Sequence, residues 1–454
     1  MGSLTGSMLM AANALLVQQG ALQATSNNIA NANTPGYSRE VPILTEATPV
    51  VEGNLAFGRG VNLQQIASVR DQLLQFRLYD ETQQQGNADA QVSNLTQIEN
   101  QFSSSTSGIG TDLTAFFNSL NQLATSPTSS SQRQAVLAAG NTLANDFQGT
   151  VAQLDGIKQN LNQNVVQSVN QINTLTGEIA KLNTQVSTLQ NQGRDPGATE
   201  DQRDELIRQL SQITEITAIP TTEGLTITTG NGVPLVVANQ SYSLQATPDA
   251  SGAEQIHSQG QNVTSTLQGG QLGGLLSVRD QFLPTVTASL DNLAGGLAAN
   301  FNAAQAQGFD LSGNPGQAFF SATAGAGAAA SFKVAITDPS LVAASSDGAA
   351  GSNGNIANLA AVQTQKLASG ETPLDAYAGI VFSVGNATAQ AQAASQASTL
   401  GLQQVTDQIS SVSGVSLDEE TTNLIRFQHA FEAAARVITT VDQLTQTVLN
   451  MPST

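Results

Sequence analysis

The chain of 454 residues has no cysteine and no tryptophan. Without cysteine there is no disulfide, zinc–thiolate site or thiol nucleophile. Histidine occurs only at His257 and His429, too far apart in sequence to suggest a shared metal site. Aromatic residues amount to 4%, while Gln, Asn, Ser, Thr and Ala abound. That balance predicts a weakly cored, elongated, assembly-forming protein rather than a compact enzyme. Basic residues are scarce: 15 Lys and Arg stand against 34 Asp and Glu, a formal charge of −19. So acidic a surface argues against nucleic acid and anionic membrane as partners. No apolar run reaches the roughly 18 residues of a membrane span, and no membrane insertion is expected. No Lys or Arg precedes Arg39, so the positive start of a secretory signal peptide is missing. His-Glu-x-x-His, a Walker loop and Gly-x-Ser-x-Gly are absent too. No enzyme activity and no cofactor are expected.

What is present begins with an uncharged, Leu/Ala/Met-rich helix from Leu4 to Ile29. Apolar residues recur at Leu4, Met8, Ala11, Leu15 and Leu22, with a second row at Leu9, Ala12 and Leu16, one broad stripe at helical spacing. An amphipathic helix without Lys or Arg is a poor membrane anchor and a good partner for another helix. It runs into Asn27, Asn28, Asn31 and Asn33, whose short amides compete with helical hydrogen bonds. Thr34 before Pro35 is pushed to an extended conformation, and Pro35-Gly36 suits the centre of a type II turn. A helix stop near Asn33 follows, then extended chain.

Residues 40–70 alternate short β-prone pieces with Pro and Gly and predict a partly hairpin-like segment. Helices are predicted over 70–102 and 113–124, with a Ser/Gly linker at 103–110 between them. Val151, Leu154, Ile157, Leu161, Val165, Val169, Ile172, Leu175, Ile179, Leu182, Val186 and Leu189 step by threes and fours. They predict a helix of about 40 residues with a coiled-coil period, or two helices broken at Gly156 or Gly177. In a short helix over 198–213, Asp201, Asp204 and Glu205 read as a solvated face or as pairs with Arg203 and Arg208. A period-two β insertion covers 217–267, closed by the Gly269–Gly274 cluster, and a helix follows to Phe301. Asp310, Ser312 and Asn314 alternate like calcium ligands. Gly316 comes one place late and no bidentate Glu follows, so a turn is predicted. Residues 322–354 are Ala/Gly/Ser-rich with one strand near 332–336. Helices are predicted over 356–367 and from about 373 to 411.

After the Ser413–Val415 turn, Ser416 and Glu419 form a capping box, and Asp418 and Glu420 add charge favourable to a helix N-terminus. The last helix steps Leu424, Phe427, Phe431, Ile438, Val441, Leu444 and Val448. Its stripe matches that of the first helix. Two such helices, each marginal alone in water, are satisfied by pairing with each other and then with other copies. Leu4, Met8, Leu15, Leu22 and Ile29 of the first helix and the seven stripe residues of the last are the candidate assembly interface. Termini frayed in the monomer and ordered on polymerisation are expected.

The spelling of these ends is specific. Asn28, Asn31, Asn33, Pro35, Gly36 and Tyr37, within Asn28–Arg39, resemble the N-terminal signature of bacterial flagellar axial proteins. Among these the resemblance is to the hook-associated protein 1 family of the hook–filament junction. Asp418, Glu419 and Glu420, within Ser413–Glu420, and the Asn423–Gln428 stretch resemble that family's C-terminal signature. Phe431 stands where Tyr is common. Residues 322–354 are too few for the further β domain of many members, so a reduced outer surface is expected.

The resemblance implies a mainly α fold with a β insertion: a long-helix bundle or coiled coil formed by the terminal segments, plus a small β-rich outer domain. The expected divisions are 1–45, 46–215, 216–340, 341–411 and 412–454. It also implies a homo-oligomeric ring, contacts with the hook protein and a second junction protein, and an export chaperone on the C-terminal helix. Export would go through the flagellar channel without a cleaved signal, to an extracellular flagellum. A hook or rod protein, or a secreted adhesion module, remain as alternatives.

Overall fold

The computed structural model describes residues 2–52, 55–102, 108–221 and 224–450. Residues 103–107 of the expected Ser/Gly linker lie outside them.

Helix α1 (Gly2–Asn31) stops where predicted. Gly36 takes φ +78° and the Tyr37 N–H donates to the Thr34 carbonyl at 3.2 Å, the turn expected of Pro35-Gly36. The chain then makes a long antiparallel arm. Strands β1 (Glu40–Glu46) and β4 (Val61–Ser68) pair along its base. Strands β2 (Val50–Glu52) and β3 (Leu55–Phe57) pair near its tip. The arm lies back along α1: Asn28 bonds Glu40, Leu63 crosses Gly20, and Gly60 meets Met10. The expected division at residue 45 falls inside β1.

Three helices follow: α2 (Gln72–Phe102), α3 (Ile109–Thr125) and α4 (Ser130–Asn191). α4 is one unbroken helix of 62 residues, about 93 Å long at 1.5 Å per residue. It is longer than its apolar period predicts, and neither Gly156 nor Gly177 breaks it. Ser129 caps it by accepting from the Gln132 N–H. Its predicted row is buried from Val151 to Ile172 and again at Ile179 and Val186. The row does not meet a single coiled-coil partner. α3, then the β insertion, then α5 (Gly197–Ile213) cover successive parts of it.

The insertion holds a four-stranded antiparallel sheet in sequence order, made of β5 (Thr217–Thr221), β6 (Gly224–Thr228), β7 (Pro234–Val237) and β8 (Gln240–Ser241). β9 (Leu244–Pro248), β10 (Glu254–Ser258) and β11 (Gln261–Asn262) form a second sheet. Three asparagines, spaced about three turns apart along α4, fasten this insertion to the helix. Asn183 grips Leu225, Asn173 grips Leu244, and Asn162 bonds Gly252 and Glu254. In each case the amide both donates to and accepts from main chain, so it stands in for a missing neighbouring strand.

The Gly269–Gly274 cluster does not simply close the insertion. It opens a helix, α6 (Gly270–Ser277), which continues through a π-helical turn at Val278–Phe282 into α7 (Leu283–Gln305). The glycines are there for contact. A Cβ on Gly274 would sit 2.5 Å from the Asn87 carbonyl oxygen of α2. The wide turn precedes Pro284, whose ring would clash with an α-helical carbonyl one turn back.

Strands β12 (Phe320–Ser321) and β13 (Lys333–Val334) pair around the short α8 (Ala328–Ser331). Asp310 accepts from the Ser312 and Asn314 N–H groups and makes the turn predicted there. The chain ends with α9 (Ile356–Ala361), shorter than predicted, α10 (Pro373–Ser413) and α11 (Leu417–Leu449). α10 packs along α2, and α11 along α1.

The core is better filled than the composition suggests. Phe116, Phe117, Phe147, Phe301, Phe319, Phe320 and Phe332 form one knot where α3, α4 and α7 meet β12 and β13, with ring centroids 4.6–5.7 Å apart. Nearly half of the 15 phenylalanines are spent there, so scarce aromatics are concentrated rather than diluted.

Candidate assembly interface

The two ends of the chain pair as expected, but through small residues. α1 buries Ala11, Val17, Ala21, Ala24, Thr25 and Asn28. α11 buries only Glu420 and Val441. Small side chains let two helices approach closely and turn larger ones outward.

Of the candidate residues, Val441 is buried. Leu4, Leu15, Leu22, Ile29, Leu424, Phe427 and Ile438 are half-buried, and Met8, Phe431, Leu444 and Val448 are exposed. Leu9 and Leu16 of the second apolar row on α1 are exposed, and so are Ile425, Val437 and Leu449, which the spacing did not single out; Leu16 is 64% accessible and Leu449 68%. α1 carries no charged residue at all. The pair therefore leaves two rows of apolar side chains open, each worth roughly 1.5–3 kcal/mol when covered.

The Asn-rich motif builds the joint between this terminal unit and the body. Asn28, 1% exposed, accepts from the Tyr37 hydroxyl and the Glu40 N–H and donates to the Glu40 carbonyl. Asn31 donates to the Asn27 carbonyl, and its own carbonyl accepts from the Thr34 N–H to end the helix. Asn33, Pro35 and Gly36 are exposed on the turn, and Tyr37 is half-buried. Burial, with the charge of Glu40, raises the Tyr37 pKa.

Beyond the turn, Ser38 donates to the Asp201 carboxylate through N–H (3.1 Å) and hydroxyl (2.7 Å). Arg70 reaches the same carboxylate at 2.6 Å, Glu200 at 3.0 Å and Asp204 at 3.4 Å, and also bonds the Gly197 carbonyl. This corrects the sequence reading of a solvated acidic face. Glu205 pairs with Arg208 and Asp204 with Arg203, as expected, while Glu200, Asp201 and Asp204 are largely buried around Arg70. The bond joins residues about 130 positions apart, so no local spacing reveals it. Burial pushes the Asp204 carboxyl up to about 6 despite the opposing Arg203 and Arg70.

On the C-terminal side, the Arg39 N–H donates to the Ser413 carbonyl, and the Arg39 guanidinium meets Glu419 at 3.1 Å. Ser416 caps α11 at the Glu419 N–H, as predicted. Glu419 spends its carboxylate on Arg39 across the joint. Asp418 is exposed, and Glu420 is buried against the joint. Among the described residues no group of three His, Cys, Asp or Glu side chains is placed to hold a metal, and no helix is long and apolar enough to cross a membrane.

Helical ends that pair with one another and still expose apolar rows, under a long-helix body, define a structural protein built for assembly. Comparisons with known proteins give the class its setting. Residues 8–37 match the family model "Flagella basal body rod protein", and 407–451 match "Flagellar basal body rod FlgEFG protein C-terminal". Those two ranges lie over the paired helices.

Residues 95–320 match "Flagellar hook-associated protein FlgK helical domain". The chain is 31% identical to flagellar hook-associated protein 1 of Bacillus subtilis over 97% of each chain. It is 27% identical to that of Escherichia coli, over 99% of this chain and all of the relative. This second alignment runs over 550 positions against 454 residues here, so that relative carries residues this chain lacks. The fold is similar to the structure of the flagellar hook junction protein FlgK from Burkholderia pseudomallei, at TM-score 0.68 and 21% identity, covering 74% of this chain and all of that one.

The chain is thus a structural protein of the bacterial flagellum. It belongs to the flagellar hook-associated protein 1 family.

Proposed function

We propose that this chain is the adaptor at the hook–filament junction, and that it takes its place as a ring of copies bound through α1 and α11. One observation carries this reading: after the two helices have paired, exposed apolar side chains remain on both, from Leu9 and Leu16 on α1 to Ile425, Phe431, Leu444 and Leu449 on α11. Covering a dozen such side chains outweighs the cost of ordering the ends. The hook protein contacts one side of the ring and a second junction protein the other. The apolar row of α11 is also where an export chaperone binds before secretion through the flagellar channel to the cell exterior. The protein acts by contact, without catalysis or cofactor.

Deleting residues 2–33 tests the reading in flagellated cells that depend on this chain. Hooks without filaments are expected; normal filaments would refute the reading. Hydrogen exchange supplies a second measurement. α1 and α11 should exchange fast in the monomer and be protected in the flagellum. Rigid, slowly exchanging ends in a dilute monomer would refute the expected coupling of order to assembly.

A further inference from the structure

We propose that the Asn353-Gly354 dipeptide is a self-modifying site, where the Gly354 nitrogen closes a ring on the Asn353 side chain and its amide becomes an acid. The proposal stands apart from the assembly reading and does not depend on it. The chain holds two Asn-Gly dipeptides, at 231–232 and 353–354. A glycine that follows asparagine has no Cβ to shield its nitrogen, so that nitrogen can reach the asparagine Cγ.

The two sites share most of their surroundings. Both asparagines are exposed. Each side chain donates to a distant main-chain carbonyl, Asn231 to Thr266 at 2.7 Å and Asn353 to Ala124 at 2.8 Å. They differ at the attacking atom. The Gly232 N–H donates to the Thr229 carbonyl at 2.9 Å in a tight turn, with Gly232 at φ +83°. The Gly354 N–H has no acceptor among the described residues, and Gly354 is exposed. Gly232 must give up a hydrogen bond before it attacks, and Gly354 need not. Reaction at Asn353 should be about fivefold faster, the factor that one hydrogen bond is worth.

Water is the only co-reactant. Hydroxide takes the Gly354 N–H proton, the nitrogen bonds to Asn353 Cγ, and the Cγ–Nδ2 bond breaks. Nδ2 leaves as ammonia with a proton from water, and a five-membered imide remains. Water then opens the imide. Breaking the new N–Cγ bond leaves aspartate at 353. Breaking the original peptide bond leaves isoaspartate, with one extra carbon in the main chain.

Packing keeps the reactive pair in place. A Cβ on Gly354 would sit 2.1 Å from the Ser346 Oγ. The Asn353 amide satisfies a carbonyl in the last turn of α3. An acid at 353 has no donor for that carbonyl and brings negative charge to the negative end of α3. The Ile356 N–H donates to the Asn353 carbonyl at 3.0 Å, and Asn355, fully buried, bonds the Ala304 and Ala343 carbonyls. Conversion therefore loosens the start of α9, and it does so irreversibly.

Full-length protein held for weeks in warm, mildly alkaline buffer tests the site. Peptides bearing Asn231 and Asn353 are weighed by mass spectrometry as the sample ages. The mass gain of amide-to-acid conversion should accumulate at Asn353 about fivefold faster than at Asn231, with isoaspartate among the products. No gain at Asn353, or a gain no faster than at Asn231, overturns the proposal. Asn353→Gln lengthens the side chain and disfavours the ring, so the gain in that peptide should vanish; its persistence overturns the assignment to Asn353. Asn353→Asp reads the consequence. Hydrogen exchange at the Asn355 and Ile356 amides should speed up about tenfold while the Phe knot keeps its protection. Unchanged exchange at those two amides overturns the loosening.

Discussion

Asn28 stands to Glu40 as one β-strand stands to the next: its side-chain oxygen takes the Glu40 N–H at 2.8 Å and its amide gives a hydrogen to the Glu40 carbonyl at 2.8 Å. The last turn of α1 thereby holds the first residue of the arm. Asn28→Ala leaves both main-chain groups unpaired in a buried place and should cost about 2–4 kcal/mol. The Glu40 amide should lose its hydrogen-exchange protection while the Phe knot keeps its own. Asn28→Asp should be at least as harmful, because it replaces the donor with a second acceptor facing a carbonyl.

The two arginines of the joint should differ sharply. The Arg39–Glu419 pair is open to solvent, with Glu419 66% exposed, and a double-mutant cycle should find under about 1 kcal/mol of coupling. Arg70 is enclosed by Glu200, Asp201 and Asp204. Arg70→Ala would strand those carboxylates and should destabilise by about 3–5 kcal/mol, as read from urea unfolding.

Glycines on the helices should respond in opposite directions. Gly177 of α4 has nothing within 4 Å of where a Cβ would stand. Gly177→Ala should raise stability by up to about 1 kcal/mol. A Cβ on Gly86 of α2 would sit 2.1 Å from the Gln212 carbonyl oxygen. Gly86→Ala should lower stability by about 1–3 kcal/mol. Melting temperatures of the two variants check both signs.

Asp112, at the start of α3, is held up to about 6 by burial and by the neighbouring Asp146 carboxyl. A carboxyl raised in the folded state favours folding when protonated. Its contribution is complete below the usual carboxylate range, near 4, and is lost as pH rises through about 6. Asp112→Asn should therefore raise the melting temperature at pH 7–8 and make little difference near pH 4. An equal shift at both pH values would contradict the assignment.

Much of the helical plan can be read locally, because the apolar steps of α4 and α11 and the Ser416 cap are written within a few residues. What could not be read depends on partners distant in sequence. Val136, Leu137, Leu143 and Phe147 extend α4 towards its start, yet Gly140 and Gly149 interrupt the local propensity. Gly140 is justified only by Phe319 and Val334 packed against it. The Gly269–Gly274 run looks like a loop until α2 is laid across it. Asn162, Asn173 and Asn183 look like poor helix formers until the backbone they hold is in view. Spacing found the two terminal helices that pair within the chain but favoured large side chains, whereas close packing buried Ala21 and Ala24 and left Met8 and Leu444 outside.

The continuity of α4 has a mechanical consequence. Its C-terminal part borders the cleft beside the joint, and Arg133 near its other end donates to the Pro127, Ser340 and Val342 carbonyls. Twist entering at the joint can travel the length of the body along hydrogen-bonded backbone without crossing a loop. Under rotational load α4 would act as a torsion shaft, with the β insertion riding on it as a passenger.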